Sequence, residues 1–213
     1  MKWSVFWGVV LAVVSVQAAK PDGAAALKLL QDGNERFAAG TAAHPNADKA
    51  RRELAAKSNQ GDYALATIVS CSDSRVPVEL IFDTGIMDVF VIRVAGNVCG
   101  VSELGTIEYG VCHVKTPVLL MLGHSQCGAV TAVAQAQTGH GHALEKNIPP
   151  LVAPIVPAVQ KVRQGFPQAT PENLVARAIE ENVWMGLETV FMRSAAVREA
   201  AKSGALKVVA GIY

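Results

Sequence analysis

Three segments are continuously apolar over the length of a strand: residues 64–70, 88–94 and 118–122. None of them alternates apolar with polar positions, so they predict strands of a parallel sheet covered on both faces. Helical patterns separate them. Residues 24–39 are rich in Ala and Leu, with Leu27, Leu30 and Phe37 as bulky positions and Gly40 as a stop signal. Residues 48–57 form a second, shorter helical stretch. Residues 102–114 open on Ser102 as an N-cap, with Glu103 in the first turn where a carboxylate suits the helix dipole. Residues 129–137 are rich in Ala and Gln and precede Gly139. Pro149, Pro150, Pro154 and Pro157 predict a loop that turns helical near Ala158. Thr170-Pro171-Glu172 is a helix start. From there Ile179, Val183, Leu187, Val190, Ser194 and Val197 keep to one stripe, predicting one long helix to about Lys202, ended by Gly204. Residues 206–213 read as a last strand, frayed if the chain stops at Tyr213. Strand alternating with helix gives an α/β class: a single domain with a mainly parallel central sheet flanked by helices.

The N-terminus has a different pattern. Lys2 precedes an apolar run from Trp3 to Val16, and Val16-Gln17-Ala18 has the small-x-small form of a cleavage site. Residues 1–18 therefore read as a secretory signal peptide, cut near Ala18 or Ala19, with the domain at 19–213. The run is shorter than the roughly 20 residues that span a bilayer, which sets this reading against an uncleaved anchor. It predicts an exported protein, periplasmic or, where there is no outer membrane, secreted. No membrane association is expected after cleavage.

Composition changes the picture in three ways. Hydrophobic residues make up 51% and charged residues 17%, which excludes a disordered chain. Lys plus Arg number 19 against 18 for Asp plus Glu, a formal charge of +1, so no basic excess points to nucleic acid or to an anionic membrane. Four Cys in 213 residues are too few for a disulfide scaffold, so their chemistry becomes the question.

Two predicted strands end in unusual sequence: Cys71-Ser72-Asp73-Ser74-Arg75 and His124-Ser125-Gln126-Cys127-Gly128. Carboxyl ends of parallel strands are where α/β proteins place ligands. Taken singly, Cys71 and Cys127 read as buried core thiols and His124 as a hydrogen-bonded histidine. If the strands are neighbours, the three converge as two thiolates and an imidazole, a set that suits tetrahedral zinc with its fourth position open. Asp73 beside such a site can orient a water, and Arg75 can keep Asp73 ionised. Thiol redox chemistry is the rival, weakened by the lack of a Cys-x-x-Cys partner for Cys71.

These motifs closely resemble those of the β-class carbonic anhydrases. The resemblance runs through Cys71 to Pro77, Glu79 to Asp83, Val91 to Asn97, Thr106 to Tyr109, Gly123 to Ala129 and Ala178 to Val183. It implies a zinc enzyme interconverting carbon dioxide and bicarbonate, with one zinc per chain on Cys71, His124 and Cys127. It further implies Asp73 and Arg75 as a catalytic dyad beside an attacking zinc hydroxide. In some members the residue at Asp73 is itself a metal ligand that closes the site until pH rises. The resemblance also implies a homodimer or dimer of dimers, with substrate bound at the subunit boundary by Phe82, Val98, Tyr109 and Gly128. Gln60 is the candidate for a substrate-contacting glutamine upstream of the first Cys. Hydrolysis of carbonyl sulfide or carbon disulfide, and a non-catalytic zinc-binding role, are the alternatives.

Cys99 and Cys112 are left over. Helical rise separates them too far for a disulfide, so two free buried thiols are expected. His140 and His142 fall in a predicted surface loop.

Overall fold

In the computed structural model, which describes residues 20–213, the apolar runs become strands at the centre of the molecule. The signal-peptide reading of residues 1–18 lies outside the described residues. Helix α1 (Gly23–Ala38) starts at Asp22, whose carboxylate accepts from the amides of Ala24 and Ala25. Helix α2 (Lys49–Ala55) is capped in the same way by Asp48. A 3₁₀ turn, Gln60–Asp62, leads to strand β1 (Ala66–Ser70). Helix α3 (Val78–Ile81), strand β2 (Val89–Arg93) and a second 3₁₀ turn, Ala95–Asn97, follow. Helix α4 (Val101–Cys112) leads to strand β3 (Val118–Gly123) and helix α5 (Gly128–Gln137). Helices α6 (Ile148–Val152), α7 (Val156–Gly165), α8 (Pro171–Arg193) and α9 (Ala195–Lys202) precede strand β4 (Lys207–Ile212).

Among the described residues the four strands make one all-parallel sheet in the order β2-β1-β3-β4. Every residue of the two central strands is buried. Alternate side chains serve opposite faces. Val69, Leu119 and Met121 pack with residues of α4, α8 and α9, whereas Ile68, Val118 and Leu120 pack with residues of α1 and α3. A third apolar cluster lies beyond the carboxyl ends of the strands, where α5, α7 and α8 enclose Cys71, Val98 and Cys127. No described helix is long and apolar enough to cross a membrane.

Several local expectations are corrected. Helix α4 begins two residues early, because Gly100 takes the cap position and the Glu103 carboxylate accepts from its amide at 2.9 Å; Ser102 lies inside the helix. The proline segment is helical from Ile148, in short pieces that each carry Pro in the first turn, where a missing N–H costs nothing. The long helix breaks at Ser194. Its backbone is extended there, its hydroxyl accepts from Val197 and it donates to Glu108 at 2.7 Å, so the side chain caps a new helix. Strand β2 lies at an edge, and only its Ile92 is fully buried, unlike the central strands it resembles in sequence. Strand β4 is not frayed: it pairs with β3 throughout, and the Tyr213 amide donates to the Gly123 carbonyl at 3.0 Å. Cys99 is buried, and burial pushes its thiol up to about 12, but Cys112 is exposed; both are free.

Asp83 ties the α3 end to the chain before α2. It is buried in the left-handed region at φ 45°. Burial works against its ionised form, yet the amides of Ala43 and His44 and the Arg36 guanidinium outweigh it and hold the carboxyl at about 2. A group depressed on folding adds stability that is complete above its unfolded pKa of about 4 and lost as pH falls towards 2. Asp83→Asn keeps a residue tolerant of positive φ and removes the charge. It should cost on the order of 2 kcal/mol at neutral pH. In thermal melts, the gap between wild type and variant should narrow between pH 4 and pH 2; a gap independent of pH would overturn this assignment.

Candidate metal centre

Strands β1 and β3 are hydrogen-bonded neighbours with Ser70 opposite Leu122. The residues just past them, Cys71 and His124, therefore leave the sheet side by side. Gln126 takes φ 52°, turning the chain so that Cys127 becomes the N-cap of α5 and faces back to the same point. The two Sγ atoms and a ring nitrogen of His124 all lie within 4.8 Å of one another, and all three residues are buried.

The protonation of this trio follows from its hydrogen bonds. His124 Nδ1 lies 3.0 Å from the Ser125 carbonyl, an acceptor only, which assigns the ring proton to Nδ1. Nε2 is then left with a lone pair, buried and without a hydrogen-bond partner. The thiol of Cys71 is lowered, because the Cys127 thiol beside it and the Gly96 amide, which donates to its sulfur at 3.3 Å, favour the thiolate against a burial that works the other way. Cys127 is raised in return, by the Cys71 sulfur beside it and by burial. A buried unpartnered imidazole lone pair beside two buried sulfurs is a costly arrangement without a cation. With one it is a fitting donor set, and two sulfurs and one imidazole suit zinc.

Asp73 and Arg75 stand at the mouth. Asp73 Oδ1 accepts from the Arg75 amide and Nε, both at 2.9 Å, and Oδ2 accepts from Nη2 at 2.7 Å. The guanidinium holds the Asp73 carboxyl far below the usual carboxylate range. Arg75 Nη2 also donates to the Gln126 carbonyl at 3.1 Å, which joins the loop after Cys71 to the loop after His124. Asp73 Oδ2 is 4.0 Å from His124 Nε2, and Asp73 lies outside the trio that converges. Its oxygens face Arg75 instead.

The other predicted site residues are dispersed. Val98 is buried in the same apolar cluster as Cys71 and Cys127. Gly128 is the exposed first residue of α5, lining a cleft of about 860 Å³ between α5 and α8 with Ser125, Gln126, His142 and Ile179. His140 lies in an exposed loop. Phe82 packs in the α1 cluster rather than around the trio. Tyr109 lies on the outer side of α4, 52% exposed, stacked on His113 at 5.3 Å. Gln60 opens the 3₁₀ turn before β1. There the Lys20 ammonium donates to the carbonyls of Gly61, Val114 and Lys115, at the amino ends of β1 and β3. That is the rim opposite Cys71. Within one chain, Gln60, Phe82 and Tyr109 are not brought to the trio.

Three residues around the trio had no assigned role in the sequence reading. Arg93 donates to the Cys71 carbonyl at 3.1 Å and to the Asp73 carbonyl at 2.7 Å, pinning the loop between them. Gly96 and the buried Asn182 are the others. The available signal was a lone amide in the apolar stripe of α8 and an Ala-Gly-Asn turn directly after a strand.

The carbonic anhydrase family model matches residues 66–213. A carbonic anhydrase of Mycolicibacterium smegmatis is 35% identical over 189 residues, covering 89% of this chain and 87% of the relative. Carbonic anhydrase 2 of Mycobacterium tuberculosis is 37% identical over 190 residues, with the same coverage of both. The β-carbonic anhydrase CafA of Aspergillus fumigatus matches with a TM-score of 0.67 at 25% identity, over 88% of this chain and 85% of that one. A tetrameric β-carbonic anhydrase of Sordaria macrospora shares the fold at a TM-score of 0.67 and 23% identity, over 88% and 91% of the two chains. On these matches, and with the strands that carry Cys71 and His124 inside the matched span, the chain belongs to the carbonic anhydrase family of zinc lyases, in its β class.

Proposed function

We propose that the protein catalyses the reversible hydration of carbon dioxide to bicarbonate and a proton, with one zinc per chain held by Cys71, His124 and Cys127. The observation that carries this reading is the buried, unpartnered Nε2 of His124 converging with the two buried sulfurs of Cys71 and Cys127, all within 4.8 Å of one another. When bound, zinc supplies a Lewis acid that brings the pKa of a water down from 15.7 towards about 7. The chain's own residues do the rest. The Nδ1–H bond to the Ser125 carbonyl fixes the His124 ring. Asp73, ionised because Arg75 pairs with it, can only accept hydrogen bonds. It therefore accepts one from the attacking water and turns the water's lone pair towards the substrate carbon. Arg75 is itself held by the Gln126 carbonyl, so the carboxylate stays aimed. Val98 and the other apolar side chains around the ligands exclude competing water, and Gly128 borders the approach.

In this reading the site is open at neutral pH, because Asp73 is engaged by Arg75 rather than offered as a fourth ligand. The proposed assembly is a homodimer or dimer of dimers, the tetrameric Sordaria relatives being in keeping with it. Export through residues 1–18 and residence in the periplasm are also proposed, on the basic start, the apolar run and the Val16-Gln17-Ala18 end.

Stopped-flow hydration on protein of known zinc content tests the activity. Wild type should carry one zinc per chain and turn over at pH 7, without a steep onset at alkaline pH. Cys71→Ala should lose both metal and activity. Asp73→Asn should keep its zinc and lose on the order of 100-fold in kcat, as for removal of a group that handles a proton. Full zinc with no hydration at any pH would sink the proposal, and a steep alkaline onset would show Asp73 acting as a ligand. For export, the mass of protein recovered from a periplasmic extract should correspond to a start at Ala19 or Lys20. An intact Met1 terminus in the cytosolic fraction would refute it.

A further inference from the structure

The core-facing stripe of α8 has one polar interruption. Asn182 lies among Ala178, Ile179, Val183 and Gly186, all buried, and is itself 4% exposed. An amide placed there is costly unless it is hydrogen-bonded. Its Nδ2 donates to the Gly96 carbonyl at 2.9 Å. Gly96 sits in the 3₁₀ turn Ala95–Asn97 at φ +75°, and a Cβ there would stand 2.6 Å from Ile155 Cδ1 and 3.1 Å from Ala129 Cβ. The turn is thus held on three sides, by two apolar side chains and by the Asn182 amide. What it presents to the metal centre is one N–H, which donates to Cys71 Sγ at 3.3 Å.

We propose that Asn182 is a positioning residue for the metal centre, holding the Gly96 turn so that an N–H···S hydrogen bond stays on the Cys71 thiolate. The inference rests on the reading of Cys71, His124 and Cys127 as zinc ligands. A donor on a ligating sulfur fixes the direction of its lone pairs and draws electron density away from it. That second effect matters here. Two thiolates give a metal much charge and blunt its Lewis acidity, so relieving one of them keeps the centre useful for acidifying water. Arg93 fixes the Cys71 main chain from its carbonyl side, leaving the sulfur to the Gly96 turn. Asn182 touches no ligand atom; it acts two steps away, through the turn.

Asn182→Asp, which keeps the shape and turns an oxygen against the Gly96 carbonyl, and Asn182→Leu, which keeps the volume without a donor, are the test variants. In cobalt-substituted protein the sulfur-to-cobalt charge-transfer band should move to longer wavelength in both, because a thiolate without its donor is easier to oxidise. The zinc forms should lose metal to a chelator on the order of 10-fold faster than wild type. Val190→Ala, a cavity in the same helix away from the turn, should lower Tm and leave the band and the zinc loss unchanged. A wild-type thiolate band with both Asn182 variants matching it in band position and zinc loss, whatever their Tm, overturns the positioning role alone. A wild type that takes up no metal, or shows no thiolate band, overturns the metal reading and this role with it.

Discussion

The parallel pairing of β1 with β3 is the constraint on which the rest depends. In a parallel pair both carboxyl ends open on the same rim, and Ser70 lies opposite Leu122. Cys71 and His124 follow within two residues of those partners. A slip of one position by either strand would turn its own two faces over, placing Ile68 where Val69 now packs or Leu120 where Met121 does. The apolar core therefore fixes the register, and the register fixes the distance between Cys71 and His124. The third member of the trio depends on a turn instead, the left-handed Gln126 that swings Cys127 onto the start of α5.

Three aspartate–arginine pairs among the described residues show what distinguishes a carboxylate available to a ligand from a saturated one. Asp83 accepts from two amides and Arg36 and has no exposed side-chain surface. Asp88 accepts from Asn46, Gly85 and Arg51 and is nearly as enclosed. Both are saturated, and both fasten loops. Asp73 accepts from Arg75 alone, and its side chain keeps 20% of its surface open. Its remaining lone pairs have no protein partner, so they are available to a ligand. Pairing with arginine alone does not mark function; what remains unsatisfied after the pairing does.

Much of this was legible in the sequence, for reasons that differ by element. The central strands were plain because a strand buried on both faces has to be continuously apolar. The convergence of Cys71, His124 and Cys127 was legible because soft donors at the ends of two neighbouring strands must meet at one rim. The Ser194 break was not, because a small polar residue on an apolar stripe reads equally well as a helix interior or a cap until Glu108 is seen to accept from it. The start of α4 was misplaced because a glycine cap carries no side-chain signature, and Ser102 looked the better candidate. Gln60, Phe82 and Tyr109 were drawn together by resemblance to a family whose site lies between subunits. One chain alone places Gln60 at the opposite end of the sheet. Arg93, Gly96 and Asn182 act through main-chain atoms, and a contact to a carbonyl or an amide leaves no pairing signal in residue types.

The charge balance of the centre follows from the same residues. Two thiolates neutralise a divalent cation, and Arg75 neutralises Asp73, so a loaded centre would hold little net charge despite its burial. Burial is tolerable on those terms, whereas an unbalanced ion in the same apolar cluster of Val98, Val130, Ile155 and Ile179 would not be. The balance also bears on the proposed reaction. Carbon dioxide is neutral and apolar, and such a lining does not oppose its entry. Bicarbonate carries a full negative charge, and an apolar lining of this kind offers it no replacement for its hydration. Substrate and product are therefore received unequally by the same wall, and the inequality favours release of the anion.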